Sequence, residues 1–290
     1  MAIDYVKLKA WPFPDVRQAY TEKDTMLYAM GVGLGMEPLD RQRLRFVFEK
    51  ELQALPTMAV VLGFPGFWMQ DPATGIDWTR LLHGEQRLTL HAPLRPSGNV
   101  IGRTRVKTIT DKGQDKGAFI VVERTISDAD TGAPLATIEQ LTVCRGDGGY
   151  SANGQPSDAA GPAPAALPDG APHAVCDLAT RPEMALLYRL CADFNPLHAD
   201  PASARAAGFE RPILHGLATY AVAGHAILKT WCDYQPQRLR AIQARFSSPV
   251  YPGETIRTEM WRRDSQILFR ASVQERGVVV LNNGLAAIAD

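Results

Sequence analysis

The chain has 290 residues, 46% hydrophobic and 21% charged, the balance of a globular protein with a substantial core and room for about two domains. Its 31 basic and 31 acidic residues cancel, so charge gives no support for nucleic-acid or anionic-membrane binding. No segment approaches the roughly 20 apolar residues of a membrane span. The opening "MAIDYVKLKAWPFPDV" lacks the apolar core of a signal peptide, and "AAIAD" at the end carries no lipidation or peroxisomal address. The four cysteines have no metal-binding spacing and read as reduced thiols, so a cytoplasmic chain is expected.

In chain order, the first features are "MLYAMGVG" (Met26–Gly33) and the charged cluster "RQRLRF" (Arg41–Phe46), which reads as a solvated helix face. "PTMAVVLGFPGFW" (Pro56–Trp68) occupies the place of a helix. From Gly102 to Cys144 the sequence reads as three strands separated by Gly- and Asp-rich turns. The stretch "RGDGGYSANGQPSDAAGPAPAALPDGAPHA" (Arg145–Ala174) follows, rich in Gly, Pro, Ala, Ser and Asp and without apolar periodicity, a linker composition. The expected organisation is a first unit over 1–145, a linker over 146–174 and a second unit over 175–290.

Beyond the linker, "ALLYRLCADFNPLH" (Ala185–His198) matches "MLYAMGVG" in place. "GLATYAVAGHAILKTW" (Gly216–Trp231) is apolar on nearly all sides, which predicts a buried helix. Glu254–Ile288 again reads as three strands. "SSPVYPGETIRTEMW" (Ser247–Trp261) echoes "HAPLRPSGNVIGRTRV" (His91–Val106), and 61 residues from Tyr188 to Pro249 stand against 65 from Tyr28 to Pro93. The two halves therefore read as one fold repeated, each with a buried helix and then an antiparallel meander, a sheet wrapped around a helix.

The chemistry concentrates in Asp193, Asn195 and His198. Pro196 disfavours helix at Asn195, so the segment is a turn that can aim several side chains at one point. A carboxylate and an imidazole there can hold a water and exchange protons with it, with Asn195 orienting the pair. Gly216 begins the buried helix, where free backbone N–H groups and the positive end of the dipole suit a carbonyl oxygen gaining negative charge. Such equipment adds water across a double bond conjugated to a carbonyl. A blander reading stands beside it: an Asx-turn at Asp193, a satisfied loop histidine at His198 and an ordinary helix start at His215-Gly216. His91 and His225 take structural or surface roles, and His215 orients the turn.

"YRLCADFNPLHADPASARAAGFERPILHGLATY" closely resembles the hydratase 2 signature of the MaoC-like, (R)-specific enoyl-CoA hydratases. "YTEKDTMLYAMGVG", "LLHGEQ", "TDKG", "ARFSSPVYPGETIRTEMW" and "VQERG" extend the resemblance over nearly the whole chain, in the two-hot-dog form of the hydratase 2 part of peroxisomal multifunctional enzyme type 2. The resemblance implies an α+β double hot-dog fold whose two sheets join, and reversible hydration of trans-2-enoyl-CoA to (R)-3-hydroxyacyl-CoA. It makes Asp193 and His198 the water-activating pair, supported by Asn195, and gives the Gly216 N–H to the thioester oxygen. It places His83, Gly84, Lys112 and Phe246 on the CoA-linked substrate and matches Glu49 to an acidic residue whose role it leaves open. It implies an acyl-CoA partner, a homodimer, and no metal or cofactor beyond the substrate's CoA. One departure is Ala192, where the family usually has Gly before the Asp; a methyl there tightens the turn and disfavours a positive φ. The first half has "MGVGLGME" where the second has "CADFNPLH", so one site per chain is expected, with Leu62–Met69 a short loose helix lining a tunnel for the acyl tail. An acyl-CoA thioesterase and a non-catalytic acyl-CoA-binding protein are the competing functions.

Overall fold

Long strands form where apolar and polar residues alternate, as in "ILFRASV", whose Ile267, Phe269, Ala271 and Val273 are all fully buried. The computed structural model describes residues 3–191 and 193–289. The first half contributes β1 (Val16–Tyr20), β2 (Leu81–Leu90), β3 (Gly98–Asp111), β4 (Ala118–Asp128) and β5 (Pro134–Cys144). The second contributes β6 (Ala174–Ala179), β7 (Leu239–Phe246), β8 (Thr255–Arg263), β9 (Gln266–Val273) and β10 (Val278–Ile288). All ten lie in one antiparallel sheet of order β1-β3-β4-β5-β2-β7-β10-β9-β8-β6.

The second five strands repeat the first five in reverse order, the pattern of two like units related by a pseudo-two-fold axis. β2 and β7 join them, with Glu85 opposite Arg245, Leu88 opposite Ile242 and Thr89 opposite Ala241. The meanders β3–β5 and β8–β10 are the strands expected from sequence. β1, β2, β6 and β7 were not anticipated; β2 carries His83, Glu85, Gln86 and Arg87, which mask its alternation.

The helices are α1 (Tyr5–Lys9), α2 (Glu22–Met30), α3 (Arg41–Leu44), α4 (Met184–Tyr188), α5 (Pro201–Ala206) and α6 (Gly216–Trp231). α6 is the predicted buried helix, with every residue from Ala218 to Leu228 buried, packed against β6, β7, β8 and β10. Its place in the first half is taken by a six-residue 3-10 turn, Pro56–Val61. The turn stops at Gly63-Phe64-Pro65-Gly66, where Pro65 disfavours further helix and Gly63 and Gly66 have positive φ. The two central elements touch closely: a Cβ on Gly224 of α6 would lie 2.7 Å from Thr57 Cγ2. One apolar core runs through both halves, and the paired positions Tyr28 and Tyr188 meet within it, ring centroids 5.8 Å apart.

Three sequence readings need correction. Leu62–Met69, expected as a short loose helix, is turn and irregular chain from 62 to 67, with a 3-10 turn beginning only at Trp68. The "RQRLRF" cluster is only partly solvated: Phe46 is fully buried, and Arg43 is buried with its Nε donating to the Tyr234 hydroxyl (3.0 Å) and paired to Asp40 (3.1 Å). Residues 154–173 lack helix and strand, as a linker composition implies, yet they are pinned to both halves. Asp158 accepts from the Tyr5 hydroxyl and the Ile109 N–H, while the Gly170 and Ala165 carbonyls accept from Trp261 and Asn283.

Candidate active site

The turn between α4 and α5 is built by its own polar residues. Asp193 Oδ1 accepts the Asn195 N–H (2.9 Å), and Asn195 Oδ1 accepts the Leu197 N–H (3.0 Å) to cap a 3-10 turn over Pro196–His198. Asp200 then caps α5 through the Ala202 and Ser203 amides. Asn195 therefore supports the site through the backbone. Ala192, the departure from the family pattern, lies outside the described residues.

His198 is buried, and its Nδ1 lies 2.8 Å from the Ile213 carbonyl. A carbonyl only accepts, so Nδ1 carries the proton and Nε2 keeps its lone pair. His215 Nε2 donates in the same way to the Asp193 carbonyl (3.1 Å), tying the start of α6 to the turn. The two imidazoles stack with centroids 3.7 Å apart and planes inclined by 25°. Nitrogens of both rings and a carboxylate oxygen of Asp193 lie within 4.8 Å of one another, with Asp193 at the exposed rim and both histidines beneath it.

Burial disfavours the charged form of these rings. It lowers the His198 pKa, opposed by the Ile213 bond and the Asp193 charge. Burial, then the neighbouring His198, push His215 down to about 3. His83 is lowered by burial to about 4, with Asp193 near enough to pull the other way.

The remaining predicted residues divide into two groups. Phe246, at the end of β7, stands over the start of α6: a Cβ on Gly216 would lie 3.2 Å from its ring. His83 packs on that ring (centroids 4.5 Å), and its buried Nε2 has no hydrogen-bond partner among the described residues. Gly84 sits at a bulge in β2, where a Cβ would meet Leu141 Cδ2 at 2.8 Å. His83 of the first half thus reaches Phe246 beside the start of α6 across the β2–β7 seam. Lys112 lies at the end of β3, three strand spacings from β2, about 14 Å. Its Nζ stands 5.6 Å from the Phe119 ring centroid. Glu49 occupies an exposed bend after α3, with no ion pair or hydrogen bond recorded among the described residues. The Ile213 carbonyl, which fixes the His198 tautomer, was not anticipated; a backbone group leaves no signal in residue type.

A double hot-dog sheet with one Asp/His turn at the mouth of its central helix defines the MaoC-like class. Residues 18–146 match the MFE-2 hydratase 2 N-terminal domain, and residues 164–283 match the MaoC like domain. "Probable enoyl-CoA hydratase 2" of Dictyostelium discoideum is 36% identical over 299 residues, covering 99% of this chain and 97% of that protein. "3-hydroxyacyl-thioester dehydratase Y" of Mycobacterium tuberculosis is 40% identical over 281 residues, covering 94% of this chain and 92% of that protein. The crystal structure of a MaoC-like dehydratase from Phytophthora capsici superposes with a TM-score of 0.86 at 33% identity over 98% of both chains. The chain belongs to the MaoC-like hydratase 2 family.

Proposed function

We propose that this protein reversibly hydrates trans-2-enoyl-CoA to (R)-3-hydroxyacyl-CoA in fatty acyl-CoA metabolism. The observation that carries the reading is His198: its Nδ1 is committed to the Ile213 carbonyl, which leaves Nε2 as a base beside the Asp193 carboxylate. In the hydration direction Nε2 takes a proton from water as the hydroxyl bonds to Cβ. The Cα=Cβ electrons move toward the thioester, and the same proton returns to Cα on the same face. Asp193 offsets the charge of the transient imidazolium, and the Gly216 N–H receives the enolate-like oxygen. Asn195 holds the turn. His83, Gly84, Lys112 and Phe246 contact the CoA-linked substrate, and Glu49 is carried as a substrate-side residue.

No metal takes part in this reading. Asp193, His198 and His215 are a donor set by type, but two rings stacked 3.7 Å apart hold their lone pairs in nearly parallel planes. A zinc ion needs both nitrogens about 2.0–2.1 Å from one point, which those planes do not offer. Hydration undiminished by EDTA is the expected result.

The test follows enoyl-thioester ultraviolet absorbance with crotonyl-CoA while free thiol is monitored in parallel. Absorbance loss without thiol release supports hydration. Thiol release without hydration makes the protein a thioesterase, and neither signal makes it a binding protein. The reading includes a cytoplasmic location, in keeping with four free cysteines, although several relatives are named peroxisomal. No helix among the described residues is long and apolar enough to cross a membrane. It also includes a homodimer, tested by light scattering against the 31.7 kDa chain mass.

A further inference from the structure

The core-facing row of β4 holds one charge. Ala118, Ile120 and Ile126 are fully buried, and Arg124, in the same row, is only 6% exposed. No acid pairs with it among the described residues. Its Nη2 donates to the Val60 carbonyl (2.5 Å), its guanidinium lies 5.4 Å from the Phe64 ring centroid, and its Nε is buried with no partner among the described residues. Thr104 stands directly opposite on β3, on the same face, and its buried Oγ1 is also without a partner. The matching row of the second half, on β9, is wholly apolar. Burial alone lowers Arg124 to about 10, so it is charged at any physiological pH. A buried guanidinium without an anion is costly, and a carboxylate is the group its planar fork fits best.

The position fits the far end of a substrate. Arg124 pairs with Ile138 and Ile138 with Leu88, five residues along β2 from His83. That is about 17 Å along the strands and about 10 Å across two of them, so roughly 20 Å from the reacting end. Above it runs the 3-10 turn and the Phe64–Phe67 loop, both phenylalanines partly exposed. We propose that Arg124 and Thr104 form a subsite in the first half for a carboxylate at the distal end of a long acyl chain, making ω-carboxy-enoyl-CoA a preferred substrate.

This inference rests on the hydratase reading. The experiment measures kcat/KM for hexadec-2-enoyl-CoA and its ω-carboxy counterpart, each normalised to the same enzyme's crotonyl-CoA rate, in wild type, R124M and T104V. The expected wild-type preference for the acid-ended chain is about tenfold, carried in KM, falling to near unity in R124M and reduced in T104V. A wild type that does not prefer the acid-ended chain overturns the proposal, whether or not R124M folds. So does a preference that survives in R124M, because an arginine that only pins Val60 would leave the ratio unmoved. Thermal shift of the wild type with saturated hexadecanedioyl-CoA against palmitoyl-CoA separates the two readings. A larger shift with the diacid supports the subsite even if crotonyl-CoA is not hydrated, and equal shifts refute it.

Discussion

Gly216→Ala separates a reacting centre from an ordinary helix start. Gly216 is the first residue of α6 and its φ is not positive, so alanine suits the backbone and gains up to about 1 kcal/mol of helix propensity. The new Cβ would lie 3.2 Å from Phe246 Cε1 and 3.3 Å from Cδ1. A shift of a few tenths of an ångström in that partly exposed ring relieves the contact, at a cost of about 1 kcal/mol. The two terms nearly cancel, and thermal unfolding should move by no more than about 4 °C. The same methyl fills the space between the helix N-terminus and Phe246, where the thioester oxygen must approach the N–H. Losing one oxyanion donor lowers kcat by about 10²–10³. Crotonyl-CoA absorbance gives the rate, and differential scanning calorimetry gives the stability. A G216A enzyme within threefold of wild type would refute the oxyanion role. An inactive one that melts 10 °C lower would refute the steric reasoning.

Asp193→Asn and His198→Gln should each lower kcat by about 10²–10⁴ with circular dichroism unchanged; hydration left intact in either removes that residue from the chemistry. Because burial lowers the His198 pKa, the acid limb of kcat/KM should lie below the ordinary imidazole value of 6.5; a limb at or above 6.5 contradicts the buried neutral base. Stability should also fall in acid. His215 and His225 both have folded pKa values lowered by burial to about 3, so below about 6.5 the unfolded state binds protons that the folded state refuses. Stability is complete above 6.5 and is lost as pH falls toward 3, by about 1.4 kcal/mol per pH unit for each ring. Urea denaturation at pH 7.5, 6 and 5 measures it, and a flat profile would count against neutral burial.

The legible parts of the fold were those whose pattern is local. α6 could be read because its sixteen residues are apolar on nearly every side, and the meanders because Gly- and Asp-rich turns punctuate them. β2 and β7 could not, although they join the halves. β2 places Glu85 and Arg87 on the outer face, where Glu85 bridges to Arg245 of β7 (2.9 Å) and to Arg87 (2.8 Å). Those charges make sense only once the partner strand is present. The site divides the same way. Asp193, Asn195, His198 and Gly216 of the proposed site stand out by residue type and spacing, and the family resemblance gives them their roles. The Ile213 carbonyl and the burial of Arg124 without an acid beside it among the described residues become visible only when the chain is folded.

The Asx-turn and the catalytic reading of "DFNPLH" describe one arrangement. Asp193 commits Oδ1 to the Asn195 amide, and a carboxylate has a second oxygen with its own lone pairs. His198 commits Nδ1 to Ile213, which fixes both the ring plane and the tautomer and turns Nε2 out as the acceptor. His215 spends Nε2 on the Asp193 carbonyl and stacks its ring on His198, so the helix start is tied to the turn. In the proposed reaction Asp193 and His198 each use one atom to hold position and keep another for chemistry, while His215 only holds them in place. Where the second half has "CADFNPLH", the first half has "MGVGLGME", which puts Val32 and Glu37 at the offsets of Asp193 and His198. That stretch holds neither Asp nor His, so the proposed site occurs once per chain.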